Sequence, residues 1–168
     1  MKSEVTQTPP SDYAVMSDFN NLYQSYLDAR KGKRWKMAVV RYEVNALENT
    51  MFLHYMLTSK KYRPSPYNTF LIHEPKERVI MYNGFKDKIV QHSLCDYVLG
   101  PALSKSFIYD NYASQEGKGT HFGLDRLKYF MQRYYRQNGP AGWVLKCDIT
   151  KYFYRINHDV LKLSLIHI

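Results

Sequence analysis

The stretch VLKCDITKYFYRINHDVLK, Val144 to Lys162, decides how the rest of the 168-residue chain is read. Trp143 to Cys147 is an apolar-rich run that predicts a buried strand, and it ends in Asp148 before a turn crowded with aromatics. A carboxylate at a strand end is held firmly yet faces water, the position from which aspartate binds a divalent cation. Two-metal phosphoryl transfer needs such carboxylates, because the cations they hold neutralise charge building on the attacking and leaving oxygens. An isolated aspartate after a strand is more often a turn former or a helix cap, so its neighbours must decide between the two readings.

Upstream, Thr69 to His73 and Arg78 to Tyr82 are short apolar-rich segments separated by Glu74-Pro75-Lys76-Glu77, which predicts a hairpin with a charged tip. From Asp87 the spacing of Val90, Leu94, Tyr97 and Val98 predicts a helix ending at Gly100-Pro101. A polar loop, Asn111 to Gly119, leads to Thr120 as the cap of a helix whose Leu124, Leu127, Met131 and Tyr134 are expected to face inward, closed by Asn138-Gly139. Nearer the start, Ser17 is expected to cap a helix with an apolar stripe of Phe19, Leu22, Tyr23, Tyr26 and Leu27, and Lys31-Gly32-Lys33-Arg34 breaks it. A second helical pattern runs through Val40, Val44, Leu47 and Met51, and Arg63-Pro64-Ser65-Pro66 ends it. Met1 to Ser11, with Pro9-Pro10, lacks the apolar content to fold; a flexible tail is expected over 1–16, with order beginning near Ser17.

Lysine and arginine number 24 against 15 acidic residues, a formal charge of +9 with a pI near 9.4, so the long-range field favours a polyanion such as nucleic acid. Many of the 16 tyrosines lie beside cations, as in Lys61-Tyr62-Arg63 and Arg133-Tyr134-Tyr135-Arg136. Such mixtures suit stacking and phosphate contact, although tyrosine at helical spacing is also ordinary half-buried core. Cys95 and Cys147 have no partners at metal-ligand spacing and read as small buried apolar residues, with neither a zinc site nor a disulfide scaffold indicated. With no signal-peptide core and no run of the eighteen or so apolar residues that a span needs, a cytoplasmic protein is expected.

The pattern Asp148, Ile149, Tyr152, Phe153, Ile156 and His158 resembles the first catalytic palm motif of reverse transcriptases of the group II intron, retron and diversity-generating retroelement type. Two further segments resemble the same family in the same order. Phe70 to Leu94, with Asp87, Val90 and Gln91, is similar to its fingers hairpin and following helix, and Ser106 to Phe130 is similar to its fingers-to-palm loop and helix. The resemblance covers about Asp18 to Lys162 and implies an α+β fold: fingers over 17–140, with the hairpin near 69–82, and the start of a palm over 141–162, a truncated right-hand polymerase. It implies RNA-directed DNA polymerase activity with Mg2+ (or Mn2+), an RNA template, a DNA or RNA primer and deoxynucleoside triphosphates.

By that resemblance Asp148 is the catalytic metal ligand, Ile149 helps seat the incoming nucleotide, and Lys76 and Arg78 reach its triphosphate. Phe153 lies under the sugar, where a bulky ring excludes a 2′-hydroxyl. Arg63, Gln91, Lys118 and His121 are the expected nucleic-acid contacts. Gly117-Lys118-Gly119-Thr120-His121 lets amides approach a phosphate at a helix start, but it lacks Walker spacing and is no P-loop. Asn157 departs from the family, where relatives commonly carry aspartate before the histidine.

The family's later hairpin, with adjacent aspartates often as Tyr-x-Asp-Asp, is not in the sequence. One carboxylate cannot hold two cations at the separation that in-line displacement needs, so the chain alone is expected to be inactive. Two other readings keep the same residues: a non-catalytic nucleic-acid-binding protein on a degenerate scaffold, and an untemplated polymerase of phage-defence type. The closing LSLIHI, Leu163 to Ile168, resembles an in-frame translation of a sequencing-library adaptor, so a non-native tail is expected over 163–168.

Overall fold

The computed structural model describes residues 10–166. Helix α1 (Asp12–Ser17) starts where the Ser11 hydroxyl accepts from the Ala14 N–H at 3.3 Å. Asp18 ends it and opens α2 (Phe19–Ala29), its carboxylate accepting from the N–H groups of Asn20 and Asn21 at 2.9 and 3.2 Å. Asp18, and not Ser17, is therefore the cap. The Ser17 hydroxyl is buried and donates back to the Tyr13 carbonyl at 2.7 Å, which leaves it unable to serve the next helix. Of the tail expected over 1–16, residues 1–9 lie outside the described residues; Asp12 onward is helical, anchored where the Tyr13 hydroxyl donates to the Leu57 carbonyl at 2.7 Å.

Helices α3 (Met37–Val44) and α4 (Ala46–Thr58) are separated by Asn45, whose φ of −127° and ψ of 50° interrupt the helical run. The helical pattern through Val40, Val44, Leu47 and Met51 is present, but those residues are exposed. The buried side is Val39, Tyr42, Thr50, Leu53 and Leu57, with the Tyr42 and Thr50 hydroxyls 3.0 Å apart. These side chains join Leu22, Tyr26 and Ala29 of α2 and Ile89 and Val90 of α5 (Phe85–Leu94) in one core. Tyr26, Tyr42 and Phe85 fill its centre with tilted and edge contacts at 5.3 to 6.4 Å.

Between α4 and α5 the chain forms the predicted hairpin: β1 (Asn68–Ile72) pairs antiparallel with β2 (Arg78–Tyr82) in a register running from Asn68 opposite Tyr82 to Ile72 opposite Arg78. After α5 the predicted stop at Gly100-Pro101 does not occur. The helix widens into a π turn, Cys95–Leu99, and continues as α6 (Gly100–Ser104). Proline lacks an N–H and its ring crowds the carbonyl four residues back, and the wider turn is one way to pass it. The Gly100 N–H reaches the Cys95 carbonyl, five residues back, and a Cβ on Gly100 would stand 2.8 Å from that oxygen, so glycine is required there.

The chain divides into two compact units, Met1–Pro101 and Ala102–Ile168, where the sequence reads as one continuous unit. The second contains α7 (Thr120–Asn138), α8 (Tyr152–Arg155) and α9 (His158–Ile166). Gly139, at φ 76°, closes α7 as predicted, its N–H donating to the Tyr135 carbonyl at 2.9 Å. At its start Gly119 takes the cap position, and Thr120 is the first helical residue.

Several expectations for this unit are corrected. Leu124, Leu127, Met131 and Tyr134 are exposed, not inward, and no described side chain of the unit is buried. Trp143 to Cys147 forms no strand, since a strand exists only where a neighbour completes its ladder and no described residue does so. Cys147 is exposed with it, and Cys95, on the outer side of the π turn, is exposed as well; both are free thiols. Helix α9 continues through 163–166, and the last two residues of the expected tail lie outside the described residues. No helix among the described residues is long and apolar enough to cross a membrane.

Candidate functional site

In the first unit the candidate residues gather around the hairpin. Lys76 lies in the tip and Arg78 opens β2; both are exposed, and among the described residues neither is in an ion pair. The hairpin rises from a buried anchor. Asp87, only 1% exposed, accepts from the Tyr62 hydroxyl at 2.6 Å and from the Ser65 N–H at 3.3 Å to each oxygen. One carboxylate therefore joins the segment entering β1 to the helix leaving β2. Burial first, and then the Asp87 carboxylate, push the Tyr62 phenol well above its ordinary range, so it stays a donor. Gly84 completes the closure: a Cβ there would sit 3.1 Å from an Asp87 oxygen. Arg63, exposed within this segment, donates to the Tyr62 carbonyl at 2.9 Å, and Gln91 is exposed one helical turn beyond Asp87.

In the second unit the loop before α7 is held by two cations. Lys118 donates to the carbonyls of Tyr109 at 2.6 Å and Asn111 at 3.2 Å, and its ammonium lies about 5 Å from the ring centres of Tyr109 and Phe122. Arg126 pairs with Asp110 and lies among the rings of Tyr109, Tyr129 and Phe130. The hydrogen bond to Asp110 raises the Arg126 pKa further, so the guanidinium stays charged. Close packing seals the loop on the helix, since a Cβ on Gly123 would stand 2.6 Å from the Tyr112 ring. Two of the three N–H groups of Lys118 thus serve its own loop, whereas His121, in the first turn of α7, is exposed.

Asp148, Ile149 and Phe153 lie together in the same unit, all exposed. The Asp148 Oδ1 accepts from the Ile149 N–H at 3.0 Å, an arrangement that leaves Oδ2 free of protein contact among the described residues. Lys151, at φ 54°, turns the chain into α8, where Phe153 is 81% exposed and meets Tyr152 edge-on at 5.2 Å. Among the described residues no three His, Cys, Asp or Glu side chains come together as a metal-ligand set. A Mg2+ or Mn2+ pair needs several carboxylates around it, so this donor set does not fit one by itself.

Sequence reading singled out Lys76, Arg78 and Asp148 but missed the Asp87 anchor and the Arg126–Asp110 pair. Asp87 was noted only as the start of a helix. The one signal for the anchor was a pair of prolines flanking Ser65, which hold that backbone extended and leave the serine N–H in need of an acceptor. No protein-family model matches the chain, and no curated protein matches it.

Proposed function

We propose that this chain is the fingers and early palm of an RNA-directed DNA polymerase of the reverse transcriptase kind. The observation that carries the reading is the hairpin: two unpaired cations, Lys76 and Arg78, at the end of a basic excursion rooted on a buried carboxylate. Cations so placed can grip a triphosphate and offset charge on departing pyrophosphate. Exposed Asp148, with Phe153 five residues on, supports it as a carboxylate beside an aromatic that would screen the sugar. RNA template, primer and deoxynucleoside triphosphates are the proposed partners, drawn by the charge of +9. Arg63, Gln91 and His121 present side chains to solvent for such contacts.

The lone carboxylate favours a second reading, a nucleic-acid-binding protein without catalysis on the same scaffold. Triphosphate binding separates the two. Titrating the 168-residue chain with a deoxynucleoside triphosphate should show binding that the Lys76→Ala/Arg78→Ala double variant weakens at least about tenfold, because charge-assisted hydrogen bonds contribute about 1.5–3 kcal/mol each. RNA binding with no triphosphate binding would favour the second reading.

A further inference from the structure

Helices α3 and α4 leave a row of large apolar side chains in solvent. Val40, Val44, Leu47, Met51 and Tyr55 follow one another at steps of three and four residues and are 39, 75, 60, 55 and 53% exposed. That spacing places them along one flank. Both helices turn their other side into the same core, where the Tyr42 and Thr50 hydroxyls meet, so the flank is continuous in sense across the break at Asn45. Single exposed apolar residues are ordinary, but a contiguous row of them marks a surface that another body covers.

The margin of this row is self-complementary in charge. Arg41 and Glu48 are seven residues apart on its outer edge, both exposed, and among the described residues neither is in an ion pair. On the inner edge Glu43 is already held by Arg30 and Arg34. Laid antiparallel on a copy of itself, the row would set Val40 against Met51 and Val44 against Leu47. The same two-fold would bring Arg41 of each copy to Glu48 of the other, twice. A polyanion fits this margin poorly, because Glu48 would repel it.

We infer that this face docks on a second copy of the chain, in an isologous antiparallel pairing centred on Val44 and Leu47 and flanked by two Arg41–Glu48 ion pairs. Sedimentation of the 168-residue chain from about 5 to 500 µM, the range in which a modest interface of this kind associates, tests it. The wild-type chain is expected to dimerise, and Leu47→Glu to remain monomeric. Arg41→Glu and Glu48→Arg each oppose like charges at both contacts and should weaken the dimer roughly tenfold, while their equimolar mixture pairs opposite charges again and should associate as the wild type does. All three positions are exposed, so the variants keep their fold, checked by far-UV circular dichroism. A monomeric wild-type chain, or a mixture no more associated than either variant alone, would overturn the inference.

Discussion

Asp87 is a buried carboxylate whose partners lie 22 and 25 residues before it, and the hairpin between them depends on it. Removing it strands the Ser65 N–H and the Tyr62 hydroxyl, both desolvated, so Asp87→Ala should lower stability by about 3 kcal/mol in urea unfolding. Asp87→Asn keeps an acceptor oxygen and should lose less; equal losses would mean that burial of the carboxylate, not its hydrogen bonds, sets the effect. The same contact carries a pH signature. With the folded Tyr62 pKa raised above its ordinary 10.0, the folded chain keeps a proton that the unfolded chain releases. The stabilisation is complete below pH 10 and is lost as pH rises beyond it. Tyr62→Phe should therefore flatten part of the alkaline fall in stability. None of this was legible from the residues around Asp87, because burial of a carboxylate is decided by what arrives from elsewhere in the chain.

Hairpin and helix positions were the most legible features. Charged turn residues between two apolar runs gave away β1 and β2, and glycine after a periodic stretch gave away the end of α7. Which side of a helix is buried was much less so. In α3 and α4, Val40-Val44-Leu47-Met51 and Val39-Tyr42-Thr50-Leu53-Leu57 both satisfy helical spacing, and the second set is buried because its hydroxyls bond to each other and to the Ala46 carbonyl. Trp143 to Cys147 has the composition of a strand without the partner that makes one. The π turn was hidden too, as Gly100-Pro101 is also how a helix commonly stops. Its geometry makes a firm prediction: Gly100→Ala would press a methyl group onto the Cys95 carbonyl and should destabilise the first unit by about 1–3 kcal/mol. An unchanged thermal midpoint would show that the turn has slack to absorb it.

The two units differ in how they are held together. Met1–Pro101 owns the buried core, and the described residues of Ala102–Ile168 bury no side chain, relying on cation–aromatic contacts around Arg126 and Lys118. The candidate chemistry is divided between them, with the triphosphate-binding cations in the first and Asp148 with Phe153 in the second. The polymerase reading requires that both serve one reaction. Primer extension on an RNA template, by protein expressed from the uninterrupted reading frame of the source DNA, examines that requirement most directly. DNA synthesis that Asp148→Asn reduces at least about a thousandfold, the scale of losing a principal electrostatic group in a transition state, is the predicted result. No synthesis, or synthesis indifferent to Asp148→Asn, would contradict it.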